Sequence, residues 1–478
     1  MFMVTASYQT PRGKQYVSAL LGYNNAWIAL PICPLLMKRY LILCLLLLLV
    51  SLRLAAVWPV MRFPERALVV DSDDYIDLAR SLLGTGQYAD PHRPGLDLLR
   101  PPIYPLALAG GLVIGQDELR WVSLGQVFIS FLIAALLYHL GIQAGSQKSG
   151  LLAAILYLAN PNSAFWSLMV LTETLTALWL TLALTLVFHF WKSGKRLWLG
   201  GAGLCLGLAA LTRPVILPLG MLWGAAILLL DWRIDRTRAS LFKNLVVYGL
   251  GLALLVLPWQ LRNYVAHSQF SLSEVGSSTL QNWMVANTLA QVEGISRSDA
   301  SARIATSPDP FAYSLEVIRD HPIIFISEQV RGVARTLLGA EYGTWARVLS
   351  GREIHTTGIL SAVLDERNIS AAWGGLVAQA GNPWLWAGLY ALIYDITLFA
   401  LGFFGLVRLW KMDRQSTLFR VGVLALLSVI YLTIAPLGAG ESRFRVPADP
   451  FLAWLAGCAW LPRQVKNTTA DVPIRPNS

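Results

Sequence analysis

The 478-residue sequence is 55% hydrophobic and only 14% charged, a balance that excludes an ordinary soluble domain and fits an all-α polytopic membrane protein. Its net charge of +10 lies largely in short segments between apolar runs, which points to membrane topology and anionic lipid rather than nucleic acid. The 18 Trp suit long water–lipid interfaces, and Cys33, Cys44, Cys205 and Cys458 are too scattered for metal-ligand spacing or a disulfide framework.

From the N-terminus, residues 1–36 form an extension with Pro31, Pro34 and a weak apolar stretch from Val17 to Leu30. Met37-Lys-Arg-Tyr and the apolar run Leu41 to Val50 have the form of an inserted chain's beginning, so Met37 is expected as the initiator; an additional interfacial helix is the alternative. Apolar windows follow at 38–58, 119–141, 149–161, 164–191, 197–211, 215–230, 241–260, 323–338, 384–409, 418–437 and 446–462. Several are shorter than the ~20 residues of a perpendicular span, which predicts kinked or broken helices. Ile103 to Gly115 is shorter still and is expected to be re-entrant or interfacial. The reading is one transmembrane domain over 37–462, a bundle of about 10–12 helices, with a cytoplasmic tail over 463–478.

Basic residues set the orientation. Lys38/Arg39, Lys148, Lys192/Lys195/Arg196, Arg233/Arg236/Arg238, Arg408/Lys411/Arg414 and Arg463/Lys466 fall at alternate span ends, which the positive-inside rule assigns to the cytoplasm. The outer side then receives loops 59–118 and 262–383 and the turn 438–445. Window 323–338 cannot be a simple crossing, since later loops would change sides; it is half of a helical hairpin or a surface helix.

The unusual charges fall on that outer side. Asp71, Asp73, Asp74 and Asp77 crowd one short stretch, Glu173 opens a long span, Arg213 and Arg262 sit at span ends, and Glu441, Arg443 and Arg445 fill the last turn. Charges beside a bilayer are costly and usually functional. Each also has a plain structural explanation. Asp77 can be a solvated helix face, Asp73 or Asp74 a helix cap, Arg213 and Arg262 snorkelling side chains, Glu173 an ion-pair partner, and His321 and His355 ordinary loop residues. Taken together, several Arg beside carboxylates suit an enzyme that holds a lipid phosphate through planar, charge-assisted bonds and removes a nearby proton with a carboxylate base.

The motifs occur in a recognisable order: Asp71-x-x-x-Tyr75-x-x-x-Ala79, Leu82-Leu83-x-Gly-x-Gly86, Arg100-Pro-Pro-x-Tyr104-Pro105, Leu171-Thr-Glu-Thr, Gly207-Leu-Ala-Ala-Leu-Thr-Arg-Pro214, Pro258-Trp-x-x-Arg-Asn-Tyr264 and Arg443-Phe-Arg-Val-Pro447. Over roughly 38–462 the chain resembles the GT-C superfamily of polyprenyl-phosphate-sugar-dependent glycosyltransferases, in the bacterial branch related to protein O-mannosyltransferases and aminoarabinose transferases. The resemblance implies an inverting transfer from a polyprenyl-phosphate sugar donor to a hydroxyl of a lipid, glycan or protein acceptor, in the bacterial inner membrane with the site facing the periplasm or cell exterior. It places Asp71 as the base, with Asp73, Asp74 and Glu173 as the further catalytic candidates. Tyr75, Arg100, Tyr104, Arg213, Arg262, Arg443 and Arg445 are the substrate-binding candidates. The run of three Asp before Tyr75 departs from the pattern and leaves Asp73 or Asp74 as alternatives, although the Asp-x-x-x-Tyr spacing favours Asp71.

No cofactor is expected, because Arg residues can neutralise the leaving phosphate. A variant with Mg²⁺ or Mn²⁺ on Asp71, Asp73, Asp74 and Glu173 ranks below it. A transporter or lipid flippase is the alternative from another class. It predicts ionisable residues near the midplane and two similar halves, and no such halves are visible.

Overall fold

The computed structural model describes residues 34–233, 237–354, 363 and 368–462. Residues 1–33 of the extension, Arg236, His355 and the tail 463–478 with Arg463 and Lys466 lie outside the described residues. The chain divides into two compact units, residues 1–46 and 47–478, and the architecture below is that of the second.

Helix α1 (Pro34–Arg62) is leucine-rich and stops before Pro64, which cannot continue it. After a 3₁₀ turn comes α2 (Val70–Thr85), whose first turn carries Asp71 and Asp73, where the helix dipole favours negative charge. It closes at Gly86 with φ +71, the left-handed geometry glycine adopts without strain. Next come α3 (Leu96–Leu99), α4 (Ile103–Ile114), α5 (Arg120–Gln143) and α6 (Gln147–Ala159). The last is capped by the Ser146 hydroxyl, which accepts the Ser149 N–H.

The expected span 164–191 is broken. Asn160 caps the short α7 (Pro161–Trp166), and α8 (Glu173–Ser193) begins only after an irregular stretch. That stretch is tolerated because it is buried in protein, which satisfies its backbone. Ser123 Oγ donates to Leu168 O at 2.7 Å, Gln126 Nε2 donates to Met169 O at 2.5 Å, and Val170 N–H donates to Ala67 O at 3.0 Å.

Next come α9 (Arg196–Ala210), α10 (Ile216–Trp232) and the long α11 (Arg238–His267). A seam of glycines brings α9 and α11 close. A Cβ on Gly203 would stand 2.1 Å from Tyr248 O, and one on Gly251 would stand 2.2 Å from Gly200 O, so only small residues allow the approach.

Past α11 the chain leaves the bundle for a layer of short helices. These are α12 (Val275–Thr279), a π-helical turn (Leu280–Val285), α13 (Ala286–Glu293), α14 (Arg297–Ala305), α15 (Pro310–Asp320), α16 (Pro322–Leu338) and α17 (Tyr342–Ser350). They enclose a small core of Val285, Ala286, Leu289, Ala300, Ile304 and Val317. Helix α16 covers the window 323–338 and packs on the 3₁₀ turn Leu437–Ala439. Its Gly332 lies so near that a Cβ would be 1.9 Å from Leu437 O. The chain then continues through α18 (Ile369–Ala378), α19 (Pro383–Trp410) and α20 (Thr417–Ile434) to α21 (Asp449–Cys458). The window 446–462 is helical only over α21, because the 3₁₀ helix Ser442–Ala448 occupies its start.

Helices α1, α5, α8, α11, α19 and α20 are long and apolar enough to cross a membrane. The shorter α6, α9, α10 and α21 pack among α5, α8, α11, α19 and α20. The protein is an all-α polytopic membrane bundle, as its composition predicts.

Candidate active site

A cavity of about 570 Å³ opens where the helix bundle meets the layer of short helices. Its polar wall carries Asp71 and Tyr75 of α2, Arg100, Glu173 at the head of α8, Arg213, and Glu441 and Arg443 of the last turn. Segments far apart in sequence thus converge on one surface. The rest of the lining is apolar residues at the ends of α10 and α20, including Leu217, Tyr431 and Leu432, and a small, polar stretch from Ser273 to Trp283.

Asp71 sits between two guanidinium groups. Arg100 Nη2 donates to its Oδ1 at 2.8 Å and Arg443 Nη1 to its Oδ2 at 2.9 Å. Burial pushes the carboxyl up, but Arg443 and Arg100 outweigh it and hold Asp71 below the usual carboxylate range. Arg100 also donates through Nε to Asp74 at 2.9 Å and lies over the Tyr75 ring at 5.0 Å. Arg443 reaches Glu441 at 2.7 Å. Arg213 Nη1 donates to Glu173 Oε1 at 2.9 Å, while Glu173 Oε2 is buried with no partner among the described residues. Phe444 lies against both Arg213, at 5.2 Å, and Arg443, at 4.9 Å. Three guanidinium groups therefore face three carboxylates on the cavity wall.

Other sequence candidates fall elsewhere, each for a definable reason. Asp71 and Tyr75 are four residues apart and share a helical face, whereas Asp73 projects to another side and is exposed. Asp74 is held by Arg100 and by Arg93 at 2.5 Å, outside the cavity lining. Asp77, expected as a solvated face, pairs with Arg93 while staying half exposed. Tyr104 is buried beneath the wall, edge-on to Tyr75 at 5.0 Å, with its hydroxyl donating to Gln126 Oε1 at 3.2 Å. Arg262 does not line the cavity; it pairs with Asp97 at 2.5 Å and donates to Tyr88 O at 3.2 Å. Arg445 is fully buried, paired with Asp395 and donating to Leu337 O. It anchors the turn that carries Arg443 rather than meeting the cavity.

Several residues escaped the sequence reading. Arg93 gathers Asp74, Asp77 and Asp90. Asp395 and Arg420 sit inside apolar runs and Asp231 at the end of one, as the buried partners of Arg445 or of each other; a charge in or against an apolar window was the available signal. Glu341 carried no signal at all. Burial and the neighbouring Glu441 push it up to about 7, against the Ser442 N–H and Arg443.

Among the described residues no three His, Cys, Asp or Glu side chains gather as a metal-ligand group. Of the donor set proposed for a divalent cation, Asp71, Asp74 and Glu173 are each engaged by Arg, and Asp73 lies apart.

Residues 99–259 match the family described as dolichyl-phosphate-mannose-protein mannosyltransferase. That segment holds Arg100, Tyr104, Glu173 and Arg213, four of the residues named with the GT-C resemblance. A comparison with curated proteins gives no match. Among solved structures the chain is similar to the archaeal oligosaccharyltransferase AglB from Archaeoglobus fulgidus in complex with an inhibitory peptide and a dolichol-phosphate, at 15% identity and TM-score 0.48, over 88% of this chain and 50% of that one. The apo form of the Archaeoglobus fulgidus oligosaccharyltransferase gives 14% identity and TM-score 0.48 over 88% and 50%. The form tethered with an acceptor peptide gives 14% and 0.45 over 85% and 49%. The chain thus spans about half the length of the structures it matches.

Proposed function

We propose that this GT-C-like chain is a membrane glycosyltransferase that moves a sugar from a polyprenyl-phosphate carrier to a hydroxyl acceptor, on the periplasmic or outer face, with inversion. The observation that carries the proposal is Asp71 on the cavity wall, held between Arg100 and Arg443. The family match over residues 99–259, whose printed description names a lipid-phosphate sugar donor, supports it.

In the proposed step the acceptor oxygen attacks the anomeric carbon as the bond from that carbon to the phosphate oxygen breaks. The acceptor proton passes to Asp71, and the polyprenyl phosphate leaves with the negative charge. One displacement inverts the anomeric centre. Arg443 and Arg213 are the groups on the wall suited to the leaving phosphate, since guanidinium keeps its charge and offers a planar fork. Both are already paired with carboxylates, so the phosphate must compete with Glu173 and Glu441 for them. When Arg443 turns to the phosphate, Asp71 loses one of its two ion pairs and becomes a stronger base. The polar wall can then join phosphate binding to base activation.

The direct test is the purified chain offered polyprenyl-phosphate sugars and a mixture of envelope acceptors, with release of free polyprenyl phosphate followed by mass spectrometry. Release that requires both acceptor and Asp71 is expected. A chain that retains no lipid-linked sugar and releases no polyprenyl phosphate from any donor offered is not this enzyme.

A further inference from the structure

The cavity lining also includes Trp283, the fourth residue of the π-helical turn Leu280–Val285. A π turn inside a helix rotates and widens the backbone, and such turns recur at functional sites. This one is braced on its outer side. Asn282 Nδ2 donates to Ser278 Oγ at 3.1 Å, Ser301 Oγ of α14 donates to Asn282 Oδ1 at 2.9 Å, and Val285 is buried in the small core beside it. Arg297 of α14 stacks on the Trp283 ring at 3.7 Å. That position is electrostatically poor for a cation, because it is the first residue of a helix and the dipole there is positive. Among the described residues no carboxylate pairs with Arg297. The aromatic ring is its compensation, and it clamps one face of the indole.

The other aromatic side chains lining the cavity are engaged by the charged wall or by the bundle, whereas Trp283 has one face held by Arg297. Tyr75 is packed by Arg100 and Tyr104, Phe444 by Arg213 and Arg443, and Tyr431 is tied through its hydroxyl to Val215 O at 2.7 Å. Among the described residues, the Trp283 indole N–H and the Thr279 hydroxyl have no hydrogen-bond partner, and both residues line the cavity. We infer that Trp283, clamped by Arg297, is the platform on which the sugar ring of the donor packs, with Thr279 beside it to meet a sugar hydroxyl. This inference rests on the glycosyltransferase reading above. An aromatic face accepts the C–H side of a pyranose, and a rigid indole provides that area at little entropic cost. Trp283 is thus a specificity-determining residue, separate from the groups that handle phosphate and proton.

The test uses the full-length chain and two kinds of probe: undecaprenyl phosphate alone, and the same lipid carrying a single mannose, glucose or arabinose. Wild-type protein is expected to bind at least one glycosylated lipid more tightly than the bare lipid. Trp283→Ala should weaken that glycosylated lipid about 2- to 10-fold and leave the bare lipid unchanged. Trp283→Phe should restore most of the difference, and Arg297→Ala should show a smaller loss of the same kind. A purely structural role would move both probes together. Equal weakening of both lipids by Trp283→Ala, or no weakening of either, overturns the inference while leaving the transferase reading standing. Wild-type protein that binds neither lipid overturns both.

Discussion

At the residue scale the site depends on which carboxylate faces the cavity. Asp71 does, so Asp71→Asn should lower turnover about 10²- to 10⁴-fold, the usual worth of a general base, with donor binding near wild type. Asp77→Asn, on the half-exposed partner of Arg93, should be close to silent. Steady-state rates with a saturating lipid donor check both; a fully active Asp71→Asn removes Asp71 as the base. The same geometry separates the arginines. Arg213→Lys and Arg443→Lys should each weaken the donor, because Lys lacks the planar fork. Arg262→Lys should not, because Arg262 answers to Asp97 outside the cavity. Donor affinities of the three variants decide this. Glu341 adds a pH dependence. Its folded value of about 7 lies above the ordinary 4.5, so its contribution to stability is full below about 4.5 and is lost as pH rises through about 7. Glu341→Gln should remove that decline, and Glu441→Gln, which takes away a neighbouring negative charge, should shift it to lower pH and make it smaller. Thermal melts across that window measure it; an unchanged slope in Glu341→Gln would assign the decline to another group. Much of this surface was legible in the sequence. The four-residue spacing of Asp71 and Tyr75 gave the helical face, and Arg213 and Arg443 stand near span ends that meet at the cavity. Arg445 was read as a binding residue because its partner Asp395 lies fifty residues back in an apolar run, and only tertiary packing brings them together.

Element-scale structure was legible where a helix is long and uniformly apolar, as in α5, α8 and α20. It was not legible where satisfaction of the backbone comes from elsewhere. Nothing local announces that residues 167–172 leave the helix, because the groups that donate to the carbonyls of the irregular chain are Ser123 and Gln126 of α5. The window 323–338 was equally ambiguous by composition. Its role is set by Gly332, which lets α16 sit directly on the turn Leu437–Ala439 that borders the cavity. Gly332→Ala should push α16 off that turn. It should cost about 1–3 kcal/mol of stability, as overpacking does, and lower activity. Gly84→Ala, where a Cβ meets nothing within 4 Å, serves as the control. Equal melting temperatures for the two variants would show that the α16 contact yields without cost.

For the whole molecule the outstanding expectation is orientation, which rests on the alternation of basic loops. Gln87 and Lys195 are both exposed, and the first lies on the cavity side of that argument. In a background with Cys44 replaced by Ser, Gln87→Cys should react with a membrane-impermeant thiol reagent in intact cells, and Lys195→Cys should react only after lysis. The reverse pattern would turn the site toward the cytoplasm. The matched charges of the cavity wall bear on the same question of compartment. A basin of unpaired arginines open to an aqueous space would fill with whatever small anion is abundant there. Here every guanidinium of the basin already has a carboxylate, so inorganic phosphate or sulfate gains little by entering. A ligand that also buries an apolar tail against Leu217, Tyr431 and Leu432 has a second source of binding energy with which to displace those pairs. On the proposed function, the resting neutrality favours a lipid-borne anion over soluble salts.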